Sequence, residues 1–283
     1  MHGRWFGILI LSLVYCWSPL PQAWAQNDPY AALFNEVIVV PLQGRNIAAL
    51  ITHKPGASKF THAIALFPGS PGYGNLRMEG GRVKIDKLGG NFLIRARRHF
   101  LADDVLTVVV DAPSDHQGSF PHSFRETQRY GEDINGVLDA ISKRYGRMEW
   151  TFIGTSEGSV SAAHAGRMLS ARIKQVVLTS SLVNSSYAGR GVQASDVKKI
   201  SVPVLWVHHK HDPCKWTPYW QIKNYARETQ SPLVTVTGEK DVRGNPCDAR
   251  TQHGFVGTEI KTIKAILSWI RTGQTPPDVS DSN

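Results

Sequence analysis

The chain has 283 residues and a formal net charge of +9 at pH 7, from 32 Lys and Arg against 23 Asp and Glu; it is 41% hydrophobic and carries three cysteines. That length and apolar content suffice for one α/β domain with a substantial core. The positive charge is dispersed and falls in no recognisable nucleic-acid module, which argues against a nucleic-acid partner and leaves only a general attraction to anionic surfaces or substrates.

Arg4 precedes an apolar run over 5–17, which is followed by Pro19, Pro21 and Ala23-Trp24-Ala25. The pattern reads as a secretory signal peptide over residues 1–25, cut after Ala25. The run is too short to span a bilayer as a helix, and no later segment is apolar enough. The mature chain is therefore expected to be periplasmic or secreted, without a transmembrane segment. Leu13-Val14-Tyr15-Cys16 faintly resembles a lipoprotein box, but the bulky Tyr15 beside the cysteine argues against lipidation at Cys16.

From residue 26 the periodicity alternates strand and helix. Residues 36–40 and 47–52 read as a hairpin around Gly44, and 63–67 as an apolar strand ending in Pro68-Gly69-Ser70-Pro71-Gly72-Tyr73-Gly74. A helical pattern over 91–102 leads to a strand at 105–111, and a long helix over 124–145, ended by Gly146, leads to a strand at 150–153. Strands at 175–179, 202–207 and 233–237 follow, then an irregular loop and a helix over 258–270. Several strands are continuous β-branched runs, as expected where both faces are covered, and strands alternating with helices imply parallel βαβ units. The domain is expected over 26–271, with a disordered tail over 272–283 whose paired prolines and low apolar content cannot build a core.

Gly154-Thr155-Ser156-Glu157-Gly158 sits between the apolar strand and a small-residue segment beginning at Ser159. This is G-x-S-x-G at a strand-to-helix turn, where side chains in place of the glycines would clash and where the serine stands clear of its own backbone. The start of a helix also offers free backbone N–H groups to an oxyanion. Further along, the strand 202–207 ends in His208-His209-Lys210-His211-Asp212, and the loop before the final helix carries Thr251-Gln252-His253. Nucleophile, acid and histidine thus occur in the order Ser156, Asp212, His253. Asp111, Asp115 and Glu157 compete less well for the acid role, and Asp241 and Asp248 lie too late in the chain.

This motif set resembles that of the α/β-hydrolase superfamily of serine hydrolases, over nearly the whole of 26–271. The resemblance implies an α/β-hydrolase fold, a mostly parallel central sheet flanked by helices, with Ser156 as nucleophile, His253 as general base and Asp212 orienting the imidazole. It also implies oxyanion-hole donors from the backbone N–H groups of Ser70 and Glu157, although Pro68-Gly69 stands where the superfamily often has His-Gly. Lid domains in this superfamily are commonly inserted after the strand 175–179; only the short polar stretch 181–200 follows it here, so no large cap is expected.

With Cys16 removed, Cys214 and Cys247 form an even pair in a chain read as exported, and a disulfide between them would tie the acid loop to the histidine loop. Two free buried cysteines are the alternative. His208, His209, His211, Asp212 and Cys214 crowd together, but neighbours on a strand face opposite ways and cannot all converge on one ion, so no metal site is expected. Tyr73, Trp216 and Trp220 are candidates to line a substrate pocket, with packing as the competing role. The expected activity is hydrolysis of a small-molecule ester through an acyl-enzyme, without a cofactor. A peptidase or amidase on the same triad and a catalytically silent binding protein are the alternatives. Acyl and leaving-group specificity and oligomeric state are not encoded legibly.

Overall fold

A computed structural model describes residues 30, 32–186 and 189–280, together with Gly3. The segment read as a signal peptide, and Cys16 within it, therefore lies outside the described residues. The strands are β1 (Phe34–Leu42), β2 (Arg45–His53), β3 (His62–Phe67), β4 (Arg77–Glu79), β5 (Arg82–Lys84), β6 (Val105–Pro113), β7 (Glu149–Thr155), β8 (Gln175–Thr179), β9 (Val204–His209), β10 (Leu233–Val236) and β11 (Asp278–Val279). The helices are α1 (Phe92–Arg95), α2 (His122–Arg125), α3 (Gln128–Tyr145), α4 (Gly158–Met168), α5 (Ala194–Val197), α6 (Tyr219–Glu228) and α7 (Glu259–Thr272).

All the strands but β4 and β5 form one nine-stranded sheet in the order β1-β2-β6-β3-β7-β8-β9-β10-β11. β1 and β2 form the antiparallel hairpin around Gly44, β2 is antiparallel to β6, and every later pairing is parallel. Side-chain alternation along the parallel strands splits their apolar residues between two cores. Ala65, Phe67, Phe152, Leu178 and Trp206 join α3, α4 and α6 on one face; Leu66, Ile153, Val177, Leu205 and Val234 join α1 and α7 on the other. Two-sided covering is what the β-branched runs demand.

The order of the central strands fixes where chemistry can occur. β3 is followed by β6 on one side and β7 lies on its other side, so the loops leaving the carboxyl ends of β3 and β7 diverge and open a crevice between them. These are the loops that carry Ser70 and Ser156.

Local chemistry moves several boundaries from their sequence expectation. The helix expected over 124–145 is two helices, because Thr127 is extended and its side chain accepts the Tyr130 N–H, so α3 starts afresh with its own cap. The helix expected over 91–102 stops at Ala96 and continues as a 3₁₀ turn over Arg97–Phe100. That change of path buries Arg97, whose guanidinium bonds Thr52 and the Ile94 carbonyl and lies 3.7 Å from the centre of the Tyr30 ring. The strand expected from 202 begins at Val204: Pro203 has no N–H to give and meets β8 only through its carbonyl, which accepts the Val176 N–H at 3.0 Å.

The tail requires a correction. Thr272 ends α7, Gly273 closes it in the left-handed conformation, and Asp278–Val279 pairs in parallel with β10 as the edge strand of the sheet. Val279 is buried among the residues of the α1 and α7 face, which gives the segment the apolar anchor that its composition alone understates. The connection over 181–200 contains only the four-residue α5 among its described residues, consistent with the absence of a large cap. Among the described residues, no helix is long and apolar enough to cross a membrane.

Candidate active site

Ser156 adopts a left-handed backbone conformation, φ 53°, immediately after β7. A non-glycine residue held there costs roughly 1–3 kcal/mol, and its N–H bonds to the carbonyls of Thr179 and Ser180 help to hold it. The flanking glycines are required by contact. A Cβ on Gly154 would lie 2.3 Å from the Gly158 carbonyl oxygen, and one on Gly158 would lie 2.0 Å from that of Phe67. Ser156 is thus presented at the mouth of a sharp turn into α4. Among the described residues the Glu157 N–H at that turn donates to no acceptor.

Asp212 follows β9 and its carboxylate is fully buried. His253 Nδ1 lies 2.9 Å from Asp212 Oδ2 and donates to that carboxylate, so that in the neutral imidazole Nε2 is the acceptor nitrogen. The same oxygen accepts the Thr217 hydroxyl at 2.9 Å, and Oδ1 accepts the Cys214 N–H at 2.9 Å. Burial pushes the Asp212 carboxyl up, but the neighbouring His253, His208 and Cys214 N–H outweigh it and hold the group below the usual carboxylate range. His253 is fixed from its other end as well, since Ser180 Oγ donates to its carbonyl oxygen at 2.7 Å. Cys214 and Cys247 are disulfide-bonded, joining the acid loop to the histidine loop across 33 residues.

Ser156 and His253 line one cavity of about 140 Å³, together with Gly69, Ser70, Asn91 and Cys247. No hydrogen bond joins Ser156 Oγ to His253 among the described residues, a looseness common in enzyme sites before substrate binds. Gly69 is pressed against the serine: a Cβ on it would be 2.9 Å from Ser156 Cβ. Asp111 at the end of β6 holds the loop over 68–76 in place, accepting the N–H groups of Gly74, Leu76 and Ala112 at 2.7, 2.8 and 2.8 Å. Burial drives its carboxyl up and these donors only partly offset that.

Tyr73, Trp216 and Trp220, weighed as pocket residues against a packing role, do not line the cavity. Tyr73 and Trp216 pack at the edge of the core beneath α3, α4 and α6, and Trp220, in the first turn of α6, is 65% exposed. Sequence reading missed Thr217, Ser180 and Asn91, weighed Asp111 only as an alternative acid and named His208 only in a crowded run set aside as a metal site. His208 is fully buried beside Asp212; its Nε2 bonds the Thr217 carbonyl at 2.8 Å and burial lowers its pKa to about 4. His209, His211 and Glu239 bring potential ligand atoms within 4.8 Å of one another. Both ring nitrogens of His209 are already engaged, Nε2 by the Gly238 carbonyl and Nδ1 by the His211 N–H, so the cluster does not fit an ion without breaking them.

No protein-family model matches the chain, and no curated protein sequence does. Solved structures do. Est1E from Butyrivibrio proteoclasticus superposes with a TM-score of 0.57 at 16% identity, covering 83% of this chain and 98% of its own. A cold-adapted esterase from an Arctic intertidal metagenomic library gives a TM-score of 0.57 at 13% identity, covering 85% of this chain and 94% of its own. XC6422 from Xanthomonas campestris, described as an α/β serine hydrolase without a lid, gives 0.54 at 13% identity, covering 81% and 94%. With the strand order and the turn at Ser156, these likenesses establish the architecture: the chain has the α/β-hydrolase fold.

Proposed function

We propose that the protein is a serine hydrolase that cleaves carboxylic esters through an acyl-enzyme. The observation that carries this reading is the 2.9 Å bond from His253 Nδ1 to Asp212, made at the wall of the cavity into which the strained Ser156 is presented. His253 Nε2 removes the Ser156 proton as Oγ attacks the ester carbonyl, and the N–H groups of Ser70 and Glu157 hold the developing oxyanion. His253 then gives that proton to the departing alcohol. Water, activated by the same histidine, releases the acid and regenerates Ser156.

That structural neighbours include an esterase and a serine hydrolase supports the same class. A cavity of about 140 Å³ favours a short acyl group. The reading of residues 1–25 as a signal peptide, and a disulfide between catalytic loops, support action in an oxidising compartment, periplasmic or extracellular.

The test is reaction of the purified protein with a fluorophosphonate, with peptide mapping and Ser156→Ala in parallel, followed by short-chain esters and then amides. Labelling at Ser156 and turnover of short esters is the expected result. Folded, disulfide-intact protein that is neither labelled nor active would overturn the reading in favour of a binding protein; faster turnover of amides would move it to a peptidase or amidase.

A further inference from the structure

Asn91 lines the same cavity as Ser156 and His253, yet nothing in the machinery proposed above uses it. Its position follows from local structure. Asn91 is the N-cap of α1; its own N–H donates to the Leu88 carbonyl at 2.8 Å and its Oδ1 accepts the Leu93 N–H at 3.0 Å. The cap bond does more than start a helix. By committing Oδ1 as an acceptor, it fixes which end of the amide is oxygen and which is nitrogen.

Nδ2 is therefore the end left over. It lies 3.5 Å from the point where a Cβ on Gly69 would sit, a point itself 2.9 Å from Ser156 Cβ. Among the described residues Nδ2 donates to no acceptor. Ser, Thr or Asp would cap α1 as well as Asn does. Of these, Asn alone adds an N–H₂ donor, and that donor faces the wall of the cavity beside the nucleophile and the loop that carries Ser70.

Resting on the ester-hydrolase reading, we propose that Asn91 is a further catalytic residue whose Nδ2 donates a hydrogen bond to the substrate carbonyl oxygen as it becomes an oxyanion. It is a side-chain third donor beside the backbone N–H groups of Ser70 and Glu157. Because the cap holds the side chain in place before substrate arrives, the donor needs no reorganisation during the reaction, which is the condition under which such a group acts most strongly.

The experiment compares the full-length protein with Asn91→Asp and Asn91→Ser, both of which retain an acceptor for the Leu93 N–H while removing the amide donor. Three quantities are read: the rate of fluorophosphonate reaction at Ser156, kcat and KM for p-nitrophenyl acetate, and the inhibition constant of a trifluoromethyl ketone. All are normalised to folded protein by thermal unfolding and circular dichroism. Both variants should lose about 100-fold or more in kcat, with KM little changed. Inhibitor affinity should fall by a comparable factor.

Rates per folded molecule within about twofold of wild type in either variant would overturn the proposal, as would a loss confined to KM. A lowered thermal midpoint with wild-type rate per folded molecule would assign Asn91 to capping alone and overturn it too. Failure of the wild-type protein to react with fluorophosphonate or ester would remove the ester-hydrolase reading, and this proposal with it. Loss in the variants alone cannot arise that way.

Discussion

Asp212 and His253 are joined twice. Nδ1 of the histidine meets Oδ2 of the aspartate at 2.9 Å, and the loops that carry them are cross-linked by the Cys214–Cys247 disulfide. Neither side chain is placed by sheet register alone, since each sits on an irregular loop beyond β9 or β10; the hydrogen bond and the cross-link bring the two loops into one position.

Asp212→Asn should keep the size of the side chain while removing the charge and presenting an amide in place of one acceptor oxygen. His253 then loses the acceptor that fixes its tautomer and the charge that stabilises its protonated form. The expected loss in kcat is about 10³–10⁴-fold, with a thermal midpoint that falls because the Thr217 hydroxyl and Cys214 N–H also lose charged acceptors. Ester turnover and calorimetry on the same preparation check both halves. Wild-type kcat in the variant would remove Asp212 from the triad.

Reducing the disulfide should lower activity before it unfolds the protein. In the chain-entropy account a bridge spanning 33 residues stabilises by about 3–4 kcal/mol. Its kinetic effect should be larger in proportion, because Cys247 lines the cavity and a loosened histidine loop would displace His253, the proposed general base. Cys214→Ser/Cys247→Ser, assayed well below its own unfolding temperature, should show kcat reduced about tenfold or more with normal far-UV circular dichroism. Unchanged kcat would show that the two loops are positioned without the cross-link.

Asp111 was legible in the sequence only as a poor alternative for the triad acid, and its structural role shows why. Its carboxylate accepts two N–H groups of the loop over 68–76, from Gly74 and Leu76, and that of its own neighbour Ala112. Asp111→Asn would set an N–H₂ donor against one or more of these, and a buried donor left unpaired costs about 1–3 kcal/mol. The loop should loosen around Ser70, lowering kcat about 10–100-fold together with the thermal midpoint. Hydrogen exchange should quicken at Gly74 and Leu76; unchanged exchange there would refute the positioning role.

What the sequence disclosed and what it concealed divide along one physical line. Ser156, its flanking glycines and the order Ser156, Asp212, His253 are legible because each is dictated locally, by a turn that admits no side chain or by position at the end of an apolar strand. The longer strands were legible for the same reason; the short β4, β5 and β11 were not. The lining of the cavity was not, because Asn91, Ala249 and Cys247 reach Ser156 only through tertiary folding. Of the aromatic residues near the motifs in sequence, Tyr73 and Trp216 take the packing role, while α6 begins at Tyr219 and its first turn carries Trp220 to solvent. Asn91 did carry a local signal, as an N-cap residue before Phe92-Leu93-Ile94, but the long helix expected over 91–102 gave no reason to ask what its amide faced.

Buried histidines make stability fall on the acid side. Burial lowers His208 and His122 to about 4, from about 6.5 in an unfolded chain. Each folded-state value lies below its unfolded value, so the unfolded chain binds more protons between these limits and stability rises with pH there. The contribution is complete above pH 6.5 and is lost as pH falls toward 4. The lowered carboxyl of Asp212 acts in a separate window, below the ordinary carboxylate range. Burial also lowers His99, His164 and His209, so urea midpoints should drop between pH 7 and pH 4.5, and His208→Gln should drop less steeply because one of the most strongly lowered groups is gone. An equal slope in wild type and variant would show that His208 is not held neutral beside Asp212.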